Sequence, residues 1–434
     1  MKRVCVIGAG ASGLCAAATM AKYGLTVKVF EVFEETAGTW CVGRKGSALY
    51  DGLRTNLPTG LMQFWSFQWD GPSVFVKPKD MNEYINRYAV AKDVGKCISF
   101  NTRVQAVERK DDSWIVTYQE PHGPQQSELF DAVIVANGHF NVPLIPDNLL
   151  AQIPLWKGKC LHSKDYIRPE TFRGLKVLLV GGKSSGTDIA KELDGIASEI
   201  HVCDTDCPEK PFYIGRDNEI VNMKRLGERF YLVPGCNRTY WRAPLKELVE
   251  NSSTVKFQAG PDLECDVVIF CTGYKMDFPF LSSDIVEIIN SKRVRPIYNE
   301  VMHAEYPTLF FAALNQPIVP FPFVEMQMEW AAKMLVDPSI LPSREARFKQ
   351  VHEIDQAISA GELTARTAHI PRPNQFSYML SLAKEAKLDN LATIEERLYA
   401  MGDAYKRVGA SRPIAPGQND DYRDREIRVN WSLL

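Results

Sequence analysis

A chain of 434 residues exceeds what one hydrophobic core usually organises, so two or three domains are expected. With 45% hydrophobic and 24% charged residues it has the composition of a globular enzyme, and a net charge of -2 excludes the basic excess of a nucleic-acid binder. No apolar run approaches the roughly 20 residues of a membrane span, so a soluble, cytoplasmic protein is expected, with a removed targeting peptide left open.

The run Arg3-Val4-Cys5-Val6-Ile7-Gly8 is short, apolar and rich in β-branched residues, as a buried parallel strand should be. Lys2 and Arg3 ahead of it imitate the charged start of a signal peptide, but Gly8, Gly10 and Gly13 interrupt the apolar run. A strand, a tight turn, a helix over Ser12–Ala21 and a second strand over Thr26–Glu31 account for the same residues. The turn Gly8-Ala9-Gly10-Ala11-Ser12-Gly13 is a dinucleotide-binding pattern in its required context. Gly8 permits the tight turn, Gly10 lets backbone approach a pyrophosphate, and Gly13 allows helix to pack on strand. Free N–H groups at the helix start face the phosphates. Glu31, ending the second strand 23 positions after Gly8, can accept hydrogen bonds from ribose hydroxyls.

A long segment with several Trp, Phe and Pro residues follows; Trp65, Phe67, Trp69 and Phe75 either wall an entrance or form plain core. A strand pattern runs from Arg103 to Tyr118, and Phe130–Ala136 is an apolar strand. A second strand–turn–helix–strand unit begins at Lys176, with its helix over Ser184–Ile196 and its second strand over Glu199–Cys203. Its turn reads Gly181-Gly182-Lys183-Ser184-Ser185-Gly186, with Asp188 expected in the first helical turn. Lys183 stands at the second glycine position, where it would crowd a pyrophosphate unless it swings aside or pairs with a phosphate. The strand-end acid is Asp204, again 23 positions on from the first glycine. An acid there favours a free ribose 2′-hydroxyl and repels a 2′-phosphate, which leans to NADH over NADPH. Arg216, Lys224 and Arg225 nearby carry the opposing charge. Asp266–Cys271 looks like a diverged copy of the strand Phe130–Ala136, and the tail beyond Ser343 reads as helical. Ten scattered cysteines, the nearest pair being Cys203 and Cys207, lack zinc or disulfide-scaffold spacing, so reduced thiols and no metal are expected.

Further segments resemble the flavin-containing monooxygenases, N- or S-oxygenating class B flavoproteins, over most of the chain. Gly38-Thr39-Trp40 is similar to the family's GGTW, with Ala37 for the first glycine. Leu53-Arg54-Thr55-Asn56-Leu57-Pro58, then Met62, resembles its TNxP…M segment. Trp156-Lys157-Gly158 with His162 and Tyr166 resembles the identifying FxGxxxHxxxY/F pattern, with Trp for Phe. Cys271-Thr272-Gly273-Tyr274 and Phe278-Pro279-Phe280-Leu281 resemble ATGY…FPFL. Leu314-Asn315-Gln316-Pro317 and Glu325-Met326-Gln327 with Trp330 fit the C-terminal half. Departures are Asn137 within Ala136-Asn137-Gly138, where an ATG-like triplet is usual, Lys183, and Asp204 near the family's 2′-phosphate arginine.

The resemblance implies an α/β fold of two dinucleotide-binding, Rossmann-like domains, the nicotinamide domain (169–279) inserted into an FAD domain (1–168 and 280–434). It implies FAD and NADPH, with NADH left open by Asp204. Hydride would reduce the flavin, oxygen would add at C4a as a hydroperoxide, and a soft amine nitrogen or sulfide would take one oxygen atom. Asn56 would be the catalytic residue, its amide bonded to the peroxide or the nicotinamide; the plainer reading is a turn asparagine before Pro58. The resemblance also implies cofactor contacts from Thr55, Leu57, Met62, Val104, Asn137, Thr272, Gly273 and Gln316. His162 and Tyr166 would hold the linker and nucleotide together, or only pack. The partners implied are O2 and a small amine or sulfide; self-association is left open. A Baeyer–Villiger oxygenase of ketones shares both turns, but its fingerprint ends in Trp where this chain has Tyr166. A disulfide reductase would need a redox cysteine pair, and no CxxC occurs. A non-catalytic flavin-binding regulatory protein could keep the same fold.

Overall fold

The computed structural model describes residues 1–44, 46–210, 212–214, 220–233, 236 and 238–410. Strand β1 (Arg3–Ile7) is followed by helix α1 (Ala11–Lys22) and strand β2 (Thr26–Phe30). β1 pairs in parallel with β2 on one side and with β3 (Ala132–Val135) on the other. Because side chains alternate across a strand, Val4 and Val6 pack with the helices while Cys5 and Ile7 pack on the opposite face with Trp114 and Val116. That opposite face is covered by an antiparallel meander of Arg103–Lys110, Ser113–Gln119 and Gln125–Phe130. The strand pattern over Arg103–Tyr118 is thus a hairpin, broken at the Asp111-Asp112 turn, where Asp111 has φ +51°.

The second unit repeats the plan with strand β4 (Lys176–Val180), helix α2 (Ser184–Leu193), strand β5 (Glu199–Cys203) and strand β6 (Val267–Phe270). β4 lies between β5 and β6, all parallel, as β1 lies between β2 and β3. The diverged copy expected at 266–271 is therefore the structural counterpart of β3. Each unit has a seven-stranded sheet among the described residues. The chain returns to the first sheet after the second unit: Leu309–Phe311 pairs in parallel with β3. Helix α3 (Pro320–Val336), buried along most of its length, then packs with α1, whose small Ala16 and Ala17 allow close approach. Lys22 and the Tyr23 hydroxyl bind Glu329 at one end of that contact, at 2.6 and 2.7 Å. The tail is helical over Arg344–Ser359, Gln375–Glu385 and Leu391–Ala410.

Two details differ from the sequence reading. Lys159–His162, placed before the expected boundary at 168, pairs with β6 in the second sheet. The physical cause lies just upstream, where Trp156 folds into the second unit's core and its indole N–H donates to Thr254 O at 3.0 Å. Gly158 makes room for this, since a Cβ there would stand 2.2 Å from the Trp156 ring. Asp188 opens the second turn of α2, not the first, because the helix starts at Ser184. Among the described residues no helix is long and apolar enough to cross a membrane. Arg216 and the C-terminal Arg428–Leu434 lie outside the described residues.

Candidate functional site

The two glycine turns sit at the carboxyl ends of β1 and β4, where open α/β sheets bind ligands. Gly8 and Gly181 each have φ +106°, and a Cβ would strike Ala136 O at 2.5 Å or Cys271 O at 2.7 Å. Gly13 and Gly186 close the turns: an added Cβ would stand 1.8 and 1.9 Å from Gly8 O and Gly181 O. Gly10 differs, its nearest neighbour being Gly38 Cα at 3.5 Å, while a Cβ on Gly38 would meet Gly10 Cα at 2.9 Å. Two bare backbones thus face each other where Gly38-Thr39-Trp40 lies over the first turn. No side chain caps either helix start, at Gly10 or at Lys183. The N–H groups of Ala11, Ser12 and Gly13, and of Ser184, Ser185 and Gly186, therefore head their helices as an anion cradle would.

The strand-end acids occupy matching places. Glu31 is buried, its Oε2 accepting from Ala9 N at 2.6 Å and its Oε1 from Phe33 N at 3.0 Å. Burial pushes its pKa up, against the pull of those N–H groups. Asp204, also buried, accepts from Gly182 N, and its Oδ1 accepts from Asp206 N at 2.9 Å. Lys183 swings aside and pairs with Asp206, holding that carboxyl below its usual range. Arg229 braces the same loop, donating to Cys207 O at 2.7 Å and Thr205 O at 3.3 Å. Lys224 and Arg225 are exposed, the latter bonded to Gly227 O at 3.2 Å.

Between the cradles, the two connections run side by side as a ribbon, Val142–Pro143 against Tyr274–Lys275. Thr272 Oγ1 donates to Leu144 O, and Gly273 O accepts from Leu144 N at 2.9 Å. Gly273 O also meets His162 Nε2 at 2.9 Å, while His162 Nδ1 accepts from Lys164 N at 3.1 Å. That acceptor role leaves the single ring proton on Nε2, and burial keeps the imidazole below its ordinary pKa. Tyr166 is buried and donates to Glu192 at 2.8 Å, away from the turns. Asn137 Nδ2 donates to Asp277 O at 2.9 Å, tying the outgoing connection to the returning one.

Of the remaining expected residues, Asn56 is exposed while its neighbours are buried. Thr55 Oγ1 accepts from Val76 N at 3.1 Å, and Leu57 and Met62 lie in the first unit's core. Val104 is the second residue of the meander, two past Thr102, whose N–H donates to Glu31 O at 2.8 Å. Gln316 is exposed beside buried Asn315, which is held by Gln327 at 3.0 Å and by His369 O at 2.8 Å. Of the aromatic residues, Phe75 is buried, and Phe67 and Trp69 pack on the core residue Tyr84, with ring centroids 5.5 and 5.0 Å away. Trp65 packs against the same cluster and, like Phe67 and Trp69, is partly buried. Among the described residues no group of three or more His, Cys, Asp or Glu is placed to hold a metal. Sequence reasoning missed Tyr50, whose hydroxyl donates to Asp188 at 3.0 Å. A single tyrosine carries no local signal of such a partner.

Comparison with known proteins agrees with this arrangement. A family model described as flavin-binding monooxygenase-like matches residues 1–208 and 235–391. Flavin-containing monooxygenase FMO GS-OX5 of Arabidopsis thaliana is 30% identical, with 97% of this chain and 91% of that protein covered. FMO GS-OX-like 4 of the same plant is 29% identical, covering 93% and 92%. Among solved structures, S-allyl-L-cysteine S-oxygenase from Allium sativum superposes with a TM-score of 0.82 at 28% identity, over 98% of this chain and 95% of that one.

Proposed function

The chain belongs to the flavin-binding monooxygenase-like family, and from that premise we propose that it uses FAD and a nicotinamide dinucleotide to transfer one oxygen atom from O2 to a soft nucleophile, an amine nitrogen or a sulfide sulfur. The observation that carries this reading is the matched pair of uncapped glycine turns, each with a buried acid hydrogen-bonded to its backbone. In each turn N–H groups without a side-chain cap head a helix, and such a helix start fits the diphosphate of a dinucleotide. The sulfide half of the reading leans on the Allium sativum relative, named as an S-oxygenase.

On this reading the first turn, Glu31 and Gly38-Thr39-Trp40 hold the ADP part of FAD. Thr55, Leu57, Met62, Val104, Asn137 and Gln316 belong to the same unit and back the rest of the cofactor. Gly181–Gly186, Asp204, Thr272 and Gly273 serve the nicotinamide nucleotide. Bound FAD would supply the oxygen-activating redox chemistry. The protein's part is to bind, orient and exclude water. On the same reading Asn56, exposed between buried neighbours, is the catalytic amide. Both ring nitrogens of His162 are engaged by backbone, so its part is to fix the ribbon. The domain division follows the sheets, with 159–162 joining the nicotinamide unit.

The test is direct. Purified protein should be yellow, oxidise NADPH or NADH, and place label from isotopic O2 on thioanisole or trimethylamine. Colourless protein that takes up no flavin on reconstitution would overturn the proposal.

A further inference from the structure

Asn56 sits where the chain passes from one core to the other. Upstream, Tyr50 and Leu53 pack in the apolar cluster of the second unit, with Tyr166, Phe172 and Ile189 of α2. Downstream, Leu57, Leu61 and Met62 pack in the cluster of the first unit. Each side of the crossing is pinned by hydrogen bonds. The Tyr50 hydroxyl donates to Asp188 Oδ2 at 3.0 Å, and Asp51 N–H donates to Ile167 O at 2.9 Å. On the far side, Thr55 N–H donates to Val76 O at 2.9 Å.

Asp188 and Glu192 are four residues apart and so share one face of α2. That face is turned to residues 50–52. Glu192 accepts from Tyr166 at 2.8 Å and lies so close over Gly52 that a Cβ there would stand 1.6 Å from its Oε1. The Tyr50 and Tyr166 rings meet edge to face at 5.7 Å, closing the contact from above. The helix whose start forms the second cradle therefore grips, by its side, the segment that presents Asn56.

We infer that Tyr50 and Asp188 are positioning residues, which with Gly52 and Glu192 register the Asn56 amide against the nicotinamide-binding helix. The inference rests on the oxygenase reading above and adds to it a mechanical link between the two units. Neither side chain is placed to touch the reacting atoms. Their effect runs through the four residues between Tyr50 and Thr55, which are held at both ends. A shift of α2 moves Asn56, and loosening the grip lets oxygen transfer fail while flavin stays bound.

Tyr50→Phe and Asp188→Ala each remove the bond, the first while keeping size and packing. In flavin-free protein, hydrogen exchange at amides 51–57 should quicken by about five-fold, the factor that one net hydrogen bond is worth. Exchange over 3–22 should not move. In flavin-loaded protein, thioanisole sulfoxide formed per nucleotide oxidised should fall by a similar factor, with peroxide release rising and flavin content unchanged. The double variant should be no worse than Asp188→Ala alone, because both changes remove the same bond. Exchange and coupling equal to wild type in both variants would overturn the inference and leave the oxygenase reading intact. A wild-type protein that oxidises nucleotide yet oxygenates neither thioanisole nor trimethylamine would overturn that reading, and this inference with it.

Discussion

The carboxylate of Asp204 is bonded to the backbone N–H of Gly182, at the heart of the second glycine turn. Glu31 stands in the same relation to Ala9 in the first turn. In FAD the adenosine ribose has a free 2′-hydroxyl, so the second unit is built as if for a nucleotide of the same kind. Two unit charges about 6 Å apart at an effective dielectric near 20 repel by roughly 3 kcal/mol, and open solvent trims that to about 1–2 kcal/mol, or roughly tenfold. Asp204→Asn keeps an acceptor for Gly182 and removes the charge. The ratio of kcat/KM for NADPH to that for NADH should rise about tenfold. An unmoved ratio would show that Asp204 does not face the 2′ position.

Alanine at Gly10 and at Gly13 should have different consequences. At Gly13 the new Cβ would collide with Gly8 O at 1.8 Å, a backbone atom that cannot move without opening the turn. We expect Gly13→Ala to lose about 3–5 kcal/mol and to purify poorly. At Gly10 the Cβ meets nothing nearer than 3.5 Å and φ is -71°. Gly10→Ala should keep its stability to within about 1 kcal/mol and lose flavin, because the methyl stands in the cradle. Thermal melts and flavin content measured side by side separate the two. Gly10→Ala that stays fully yellow would mean the diphosphate lies elsewhere.

The parts of this site legible in the sequence are those written locally. Each glycine turn, each strand-end acid and the strand Glu199–Cys203 depend on residues within about one βαβ unit, so spacing alone exposes them. Lys159–His162 is four residues long and pairs with a strand more than a hundred positions later, too short for any period to assign its sheet. Tyr50 and Asp188 are 138 positions apart, and neither stands out in composition or spacing. The side taken by Lys183 is likewise open in the sequence, because its partner Asp206 belongs to a loop after β5. Local chemistry marks the two glycine turns; the contacts that join the two units are tertiary and appear only in the fold.

Acid should weaken the protein through a histidine remote from the cradles. His303 is buried, with Nε2 at 2.7 Å from Ile285 O and Nδ1 accepting from Tyr306 N at 3.0 Å. Only the neutral ring, with its proton on Nε2, satisfies both. Burial lowers its pKa from 6.5 to about 4. A depressed histidine stabilises the fold fully above its unfolded pKa, and that stabilisation drains away as pH falls from about 6.5 to about 4, by roughly 3 kcal/mol. Urea unfolding at about pH 7.5 and about pH 4.5 should show wild type well above His303→Asn at the first and the gap narrowed at the second. Equal gaps would mean that His303 does not titrate with unfolding.

Asn56 is exposed between buried Thr55 and Leu57, so its side chain can be changed without disturbing either core. Asn56→Leu should cost no more than about 1.5 kcal/mol, one net hydrogen bond, and retain flavin. A hydrogen bond to a charged reacting group is worth about 1.5–3 kcal/mol, so sulfoxide formed per nucleotide oxidised should fall roughly 10- to 100-fold. The missing oxygen should leave as hydrogen peroxide, measured in the same cuvette. That loss should exceed the loss in Tyr50→Phe, because one variant removes the amide and the other only its registration. An Asn56→Leu enzyme with undiminished product yield would reduce Asn56 to a turn residue ahead of Pro58, and the exposed amide at the seam between the two cores would have no part in oxygen transfer.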